Sequence, residues 1–192
     1  MNEKTKKIVG IGLFTAIVVV LQAMAIGIRF GVFTVTLVLI PIVVGAALYG
    51  ELAGAWLGMI FGVVVLLTDA SAFLAVNVPG TIVTCILKGA CAGLVAGLVY
   101  KALEKKNKYL AVLTAAILAP VVNTGLFLLG CRIFFFDTIK EWALAAGFES
   151  AGKFMIVGFV GINFLVEAGV NILLSAVIVR LIALGKKIIN NR

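Results

Sequence analysis

The chain has 192 residues, of which 64% are hydrophobic and 12% charged, with a formal net charge of +8 and no histidine. Soluble domains run near one-half apolar and one-quarter charged, so a soluble globular protein is excluded and the whole chain, 1–192, reads as a single integral membrane domain. The missing histidine removes His-ligated metal sites, Ser-His catalysis and the commonest proton relay, and without a GxxxxGK[ST] loop the chain has no ordinary cradle for ATP phosphates.

Six spans are expected, at about 8–28, 33–49, 52–68, 80–100, 109–131 and 154–184, each able to cross hydrocarbon at about 1.5 Å per residue. Lys4, Lys6 and Lys7 precede the first span, whose apolar run outlasts that of a secretory signal and leads into further spans, so it reads as an uncleaved helix. Within it, Gly12 and Ala16 form a small-xxx-small pair that lets another backbone approach closely, either inside the bundle or on a partner. Pro41 sits in the second span and Pro120 in the fifth, where kinks are tolerated if neighbours satisfy the freed carbonyls. Gly54, Gly58 and Gly62 in the third span, and Gly89, Gly93 and Gly97 in the fourth, repeat at every fourth residue and are expected to form internal packing seams. Pro79 and Gly80 mark where the fourth span starts. Cys85, Cys91 and Cys131 lack CxxC spacing and are expected to pack rather than to bridge or bind metal. The stretch Arg132 to Lys153 is polar enough for an interfacial helix, serving either as a lid or as a plain connector with an interface Trp142.

Charge sets the expected orientation. Lys4, Lys6 and Lys7, then Lys101, Lys105, Lys106 and Lys108, then Arg180, Lys186, Lys187 and Arg192 place eleven of the sixteen basic residues on one side of six crossings. That is the positive-inside pattern, and it predicts a compact all-α bundle of six transmembrane helices with both termini cytoplasmic. The same clustering beside spans argues for membrane topology rather than nucleic-acid binding.

Polar residues inside the spans carry the candidate site. Lys88 and Glu167 lie within apolar segments, where ionisable groups are costly and mark function by default. Asn163, Glu167 and Asn171 recur at spacings of four on one helix face; Asn77, Thr81, Thr84 and Lys88 line another; Asn123 and Thr124 fall mid-span in the fifth. Entering from the outer side, Lys88 and Asn163 lie about 12–15 Å deep by helical rise, with Glu167 somewhat deeper, which describes a cavity open outward. A buried Lys88–Glu167 ion pair that merely joins helices reads the same residues differently, although such pairs are costly to desolvate. No catalytic constellation is present.

On these features the chain resembles the substrate-specific S components of energy-coupling factor (ECF) transporters of the vitamin type. The resemblance rests on length, six spans, the basic leader, Gly12-Leu-Phe-Thr-Ala16 in place of that family's AxxxA contact motif, and Leu37 to Gly62 with "GAALYGELAGAWLGMIFG". It implies a multi-pass protein of a prokaryotic plasma membrane, without ATPase activity or cofactor. Such a subunit captures a vitamin or similar micronutrient from outside and works with a membrane scaffold protein and two ATPase subunits. It also implies a ligand near the outer face, where Arg29 and Lys88 would meet an anionic group. Pantothenate would suit those cations; riboflavin would suit the amides with Phe134, Phe135, Phe136 and Trp142. Because the metal-ion members use an N-terminal histidine, a metal substrate is not expected. A self-sufficient proton-coupled transporter or small channel using Glu167 is the competing reading, weakened by the lack of a visible inverted repeat.

Overall fold

A helix in lipid satisfies its own backbone, so apolar runs of this length become helices first and pack afterwards. The computed structural model describes residues 2–25, 29–30, 33–34 and 37–190, with backbone alone for residues 3, 25, 29, 30, 33, 34, 162, 163, 166, 167 and 188–190. Four of its helices are long and apolar enough to cross a membrane: α1 (Glu3–Ala25), α3 (Glu51–Thr68), α5 (Val78–Leu103) and α6 (Lys108–Phe134). They coincide with the first, third, fourth and fifth expected spans.

The second and sixth spans differ from expectation. Where the second was expected to begin, β1 (Arg29–Phe30) and β2 (Phe33–Thr34) pair antiparallel, and α2 (Leu39–Tyr49) covers only 11 residues, about 16 Å at helical rise. The sixth is interrupted: a π-helical segment (Phe154–Val160) follows the short α8 (Ala151–Lys153), then come α9 (Gly161–Leu173) and α10 (Ser175–Asn190). Gly158 and Gly161 give the backbone latitude there, and a sustained π-helix is a form concentrated at functional sites. Between α3 and α5 sits one further short turn of helix, α4 (Ser71–Leu74), and between α6 and α8 lies α7 (Phe136–Ala145), the helix expected in the long connection.

Local chemistry sets the helix boundaries. Asn77 caps α5 by accepting from the Gly80 amide at 2.9 Å, with Pro79 in the first turn, and Asn107 caps α6 by accepting from the Tyr109 and Leu110 amides at 2.9 and 3.1 Å. A single residue, Gly50, separates α2 from α3, and its φ of +99° is the left-handed geometry that so tight a reversal needs.

The core is a glycine seam. A Cβ built on Gly58 would lie 2.0 Å from the Gly89 carbonyl oxygen, one on Gly93 would lie 1.9 Å from that of Gly54, and one on Gly62 would lie 2.3 Å from that of Cys85. The α3 and α5 backbones therefore touch, which gives dispersion and Cα–H···O contact where lipid supplies no hydrophobic drive. Around the seam pack Leu39, Ile42, Leu57, Phe61, Val112, Ala115, Ile178 and Ile182. Cys85 and Cys131 are buried and Cys91 is half-buried, all three as free thiols.

At one end, Gly10 faces Tyr49, Lys101 bonds Glu51 at 2.8 Å, Lys186 pairs with Glu104, and Gly185 meets Leu48. This basic end thus gathers the start of α1, the α2–α3 turn, the α5–α6 connection and the end of α10. The opposite, far end carries α4 and α7.

Candidate functional site

The far half of the bundle holds a lysine between aromatic rings. Lys88 projects from α5 with its Nζ 5.2 Å from the Phe127 ring centroid on α6 and 5.9 Å from that of Phe61 on α3. Ring faces attract a cation, yet they carry no net charge and leave all three ammonium donors without an acceptor. Among the described residues Lys88 meets no carboxylate.

Orphaned polar atoms bracket this cation. One turn toward the far end on α5, Thr84 is 6% exposed and its Oγ1 has no hydrogen-bond partner; it packs against Gly130, where a Cβ would lie 2.3 Å from that oxygen. One turn toward the basic end from Phe127 on α6, Asn123 is 9% exposed with an unpartnered Oδ1. On α9, which packs on α6, Asn171 is 2% exposed with an unpartnered Nδ2. Such atoms are costly to bury unsatisfied, and three of them on the neighbouring helices α5, α6 and α9 are groups that a polar ligand could satisfy.

The residues expected from sequence separate into those the structure places and those outside the described side chains. Lys88 and Thr84 lie on α5, Asn123 on α6 and Asn171 on α9, with α6 packed against both of the other helices. Asn77 commits its Oδ1 to capping α5, and Thr81 donates to the Asn77 carbonyl at 2.7 Å. The side chains of Arg29, Asn163 and Glu167 lie outside the described residues, so the expected Lys88–Glu167 relation does too. Gly12 and Ala16 are exposed on α1, and nothing described lies within 4 Å of a Cβ built on Gly12.

Sequence reading singled out Phe135 and Trp142 but missed Phe73, Phe127 and Phe159, which complete the aromatic cluster. Phe73 of α4 lies at the centre of an aromatic cluster, with ring centroids 5.7 Å from Phe127, 5.1 Å from Phe135, 5.5 Å from Trp142 and 6.2 Å from Phe159. α7 is docked on it through the fully buried Ile139 and Ala143. Phe127 thus belongs to both the cluster and the lysine's surroundings, so the helix expected as lid or connector is linked to the cation through Trp142, Phe73 and Phe127. Its rim is polar: Lys140 donates to Asp137 at 2.9 Å, which holds that exposed carboxyl below its ordinary range, and Phe136 stacks under Arg132 at 3.9 Å. A second polar cluster also escaped notice: Gln22 of α1, 1% exposed, donates to Asp69 at 2.8 Å, and Thr68 donates to the same carboxylate at 2.9 Å.

The multi-pass membrane protein thus carries a lysine and orphaned polar atoms on its inner helices, near an aromatic cluster. Residues 6–179 match the family described as ECF transporter, substrate-specific component, and the chain belongs to that family. It is therefore a substrate-specific membrane subunit of a transporter rather than an enzyme. No curated protein and no solved structure matches the chain.

Proposed function

We propose that this subunit sits in a prokaryotic plasma membrane with both termini cytoplasmic and captures a vitamin-type micronutrient from the outside. It hands the substrate on only in company with a membrane scaffold protein and two ATPase subunits. The observation that carries this is the pairing of family membership over 6–179 with a half-buried Lys88 inside α5, on a bundle whose helices α5, α6 and α9 also carry orphaned buried polar atoms. Substrate pathways are where such groups recur in membranes. The substrate-binding residues are Lys88, Thr84, Asn123 and Asn171, joined by Arg29, Asn163 and Glu167, and by Asn77 through its amide nitrogen alone, its oxygen being held by the α5 cap. The absence of a phosphate-binding loop in the sequence fits an external energy source.

The exposed α1 face with Gly12 and Ala16 is the contact for the scaffold. Small residues there admit a neighbouring backbone, and the open space over Gly12 is what such a contact requires. Native mass spectrometry of the chain purified alone tests the capture role. One small molecule retained at one per chain is expected; a chain that retains nothing from a vitamin-replete medium contradicts it.

A further inference from the structure

We infer that the substrate is a small monocarboxylate that also carries a hydroxyl or amide, its acidic group held by Lys88. This deepens the reading of the chain as a substrate-capturing subunit and rests on it.

The first ground is charge. Lys88 is the single basic residue between 52 and 100, and none lies between 109 and 131, so the interior of α3, α5 and α6 carries one positive charge. Two rings at 5.2 and 5.9 Å partly replace its hydration and neutralise nothing. An arriving carboxylate supplies one matching charge and a charge-assisted acceptor at once. A phosphate, at about −1.5 to −2, would leave excess negative charge among apolar helices.

The second ground is hydrogen-bond bookkeeping. The Asn123 Oδ1 is an acceptor lacking a donor, the Asn171 Nδ2 is a donor lacking an acceptor, and the Thr84 Oγ1 is free to serve as either. All three side chains are more than nine-tenths buried. The carboxylate of a bare fatty acid can accept but not donate, so the Asn123 Oδ1 stays unmet, whereas a hydroxyl or amide both donates and accepts. The third ground is shape: the faces of Phe127 and Phe61 flank the cation, so the carbon skeleton next to the acid packs on rings.

The probes are acids paired with neutral counterparts of nearly equal volume: pantothenate with pantothenol, and biotin with its amide. Calorimetric titration of the purified chain is expected to find at least one acid that binds, its neutral partner weaker by about 10-fold or more. Lys88→Met removes that preference and Lys88→Arg keeps it, so the charge and not the fold is read. The wild-type comparison stands even if Lys88→Met does not fold. Equal affinity within every pair, no acid bound at all, or a retained molecule that is neutral, such as riboflavin, each overturns the inference. A retained neutral molecule leaves the capture role standing; a chain that retains nothing fails that role itself.

Discussion

Adding one methyl group to the α3–α5 seam tests the packing most sharply. In Gly58→Ala the new Cβ would lie 2.0 Å from the Gly89 carbonyl oxygen and 2.6 Å from its carbon, both rigid backbone atoms. Ordinary contact starts near 3.4 Å, so the helices must part by about 1 Å or more over the seam, losing the contacts at Gly54–Gly93 and Gly62–Cys85 together. Overpacking costs about 1–3 kcal/mol, and a seam closed by backbone on both sides belongs at the upper end. At the scaling of soluble chains of this length, that is a fall in melting temperature of about 4–10 °C. Tryptophan fluorescence during thermal unfolding in detergent reads it, with Gly12→Ala as control, since nothing among the described residues lies within 4 Å of a Cβ there. A Gly58→Ala protein that melts with the parent, or a Gly12→Ala protein that melts as early as Gly58→Ala, refutes the assignment of one glycine set to the interior and the other to an open face.

Phe73→Ala should cost about 3–5 kcal/mol and loosen α7, since that ring touches four others; a red shift of Trp142 emission with faster ligand release reports it, measured in a Trp56→Phe background. Gly12→Leu and Ala16→Leu should leave ligand affinity unchanged and abolish uptake in cells carrying the full transporter, whereas parallel loss of binding and folding would make the pair internal packing. Lys88→Met and Glu167→Gln should each weaken ligand binding by about 10- to 150-fold, and Asn163→Ala by less. In a thermal-shift cycle, a Lys88→Met/Glu167→Gln double variant that recovers stability while ligand affinity stays at the parental value would show a purely structural pair. Lys140→Met should let Asp137 titrate higher, toward the ordinary carboxylate range, because its depressed value comes first from the Lys140 hydrogen bond; carboxyl NMR of the labelled protein follows it.

The four long helices were legible because length and unbroken apolarity are what a bilayer demands. Hydropathy does not register helical continuity, so the apolar stretches around Phe33 and Gly158 read as spans although the backbone there forms a short ladder and a π-helix. The glycine seam was legible from spacing alone. Thr84, Lys88, Asn123 and Asn171 stood out as polar residues in apolar surroundings, but spacing could not separate Asn77, which caps α5, from its neighbours on the same face. The aromatic cluster was visible only at Phe135 and Trp142, since phenylalanine is common in membrane helices and nothing local marks Phe73, Phe127 and Phe159 as converging. One signal was available: Phe127 lies four residues after Asn123, on the same face of α6. Gln22 and Asp69 are 47 residues apart, and only the folded chain brings them together.

Uptake of the retained molecule, radiolabelled, into proteoliposomes is the most direct measurement. The chain alone should bind the label on the membrane and accumulate none inside, with or without a proton gradient. Co-reconstitution with the scaffold protein and both ATPases should give accumulation that requires ATP. Gradient-driven accumulation by the chain alone would contradict a partner-dependent subunit and establish a self-sufficient transporter.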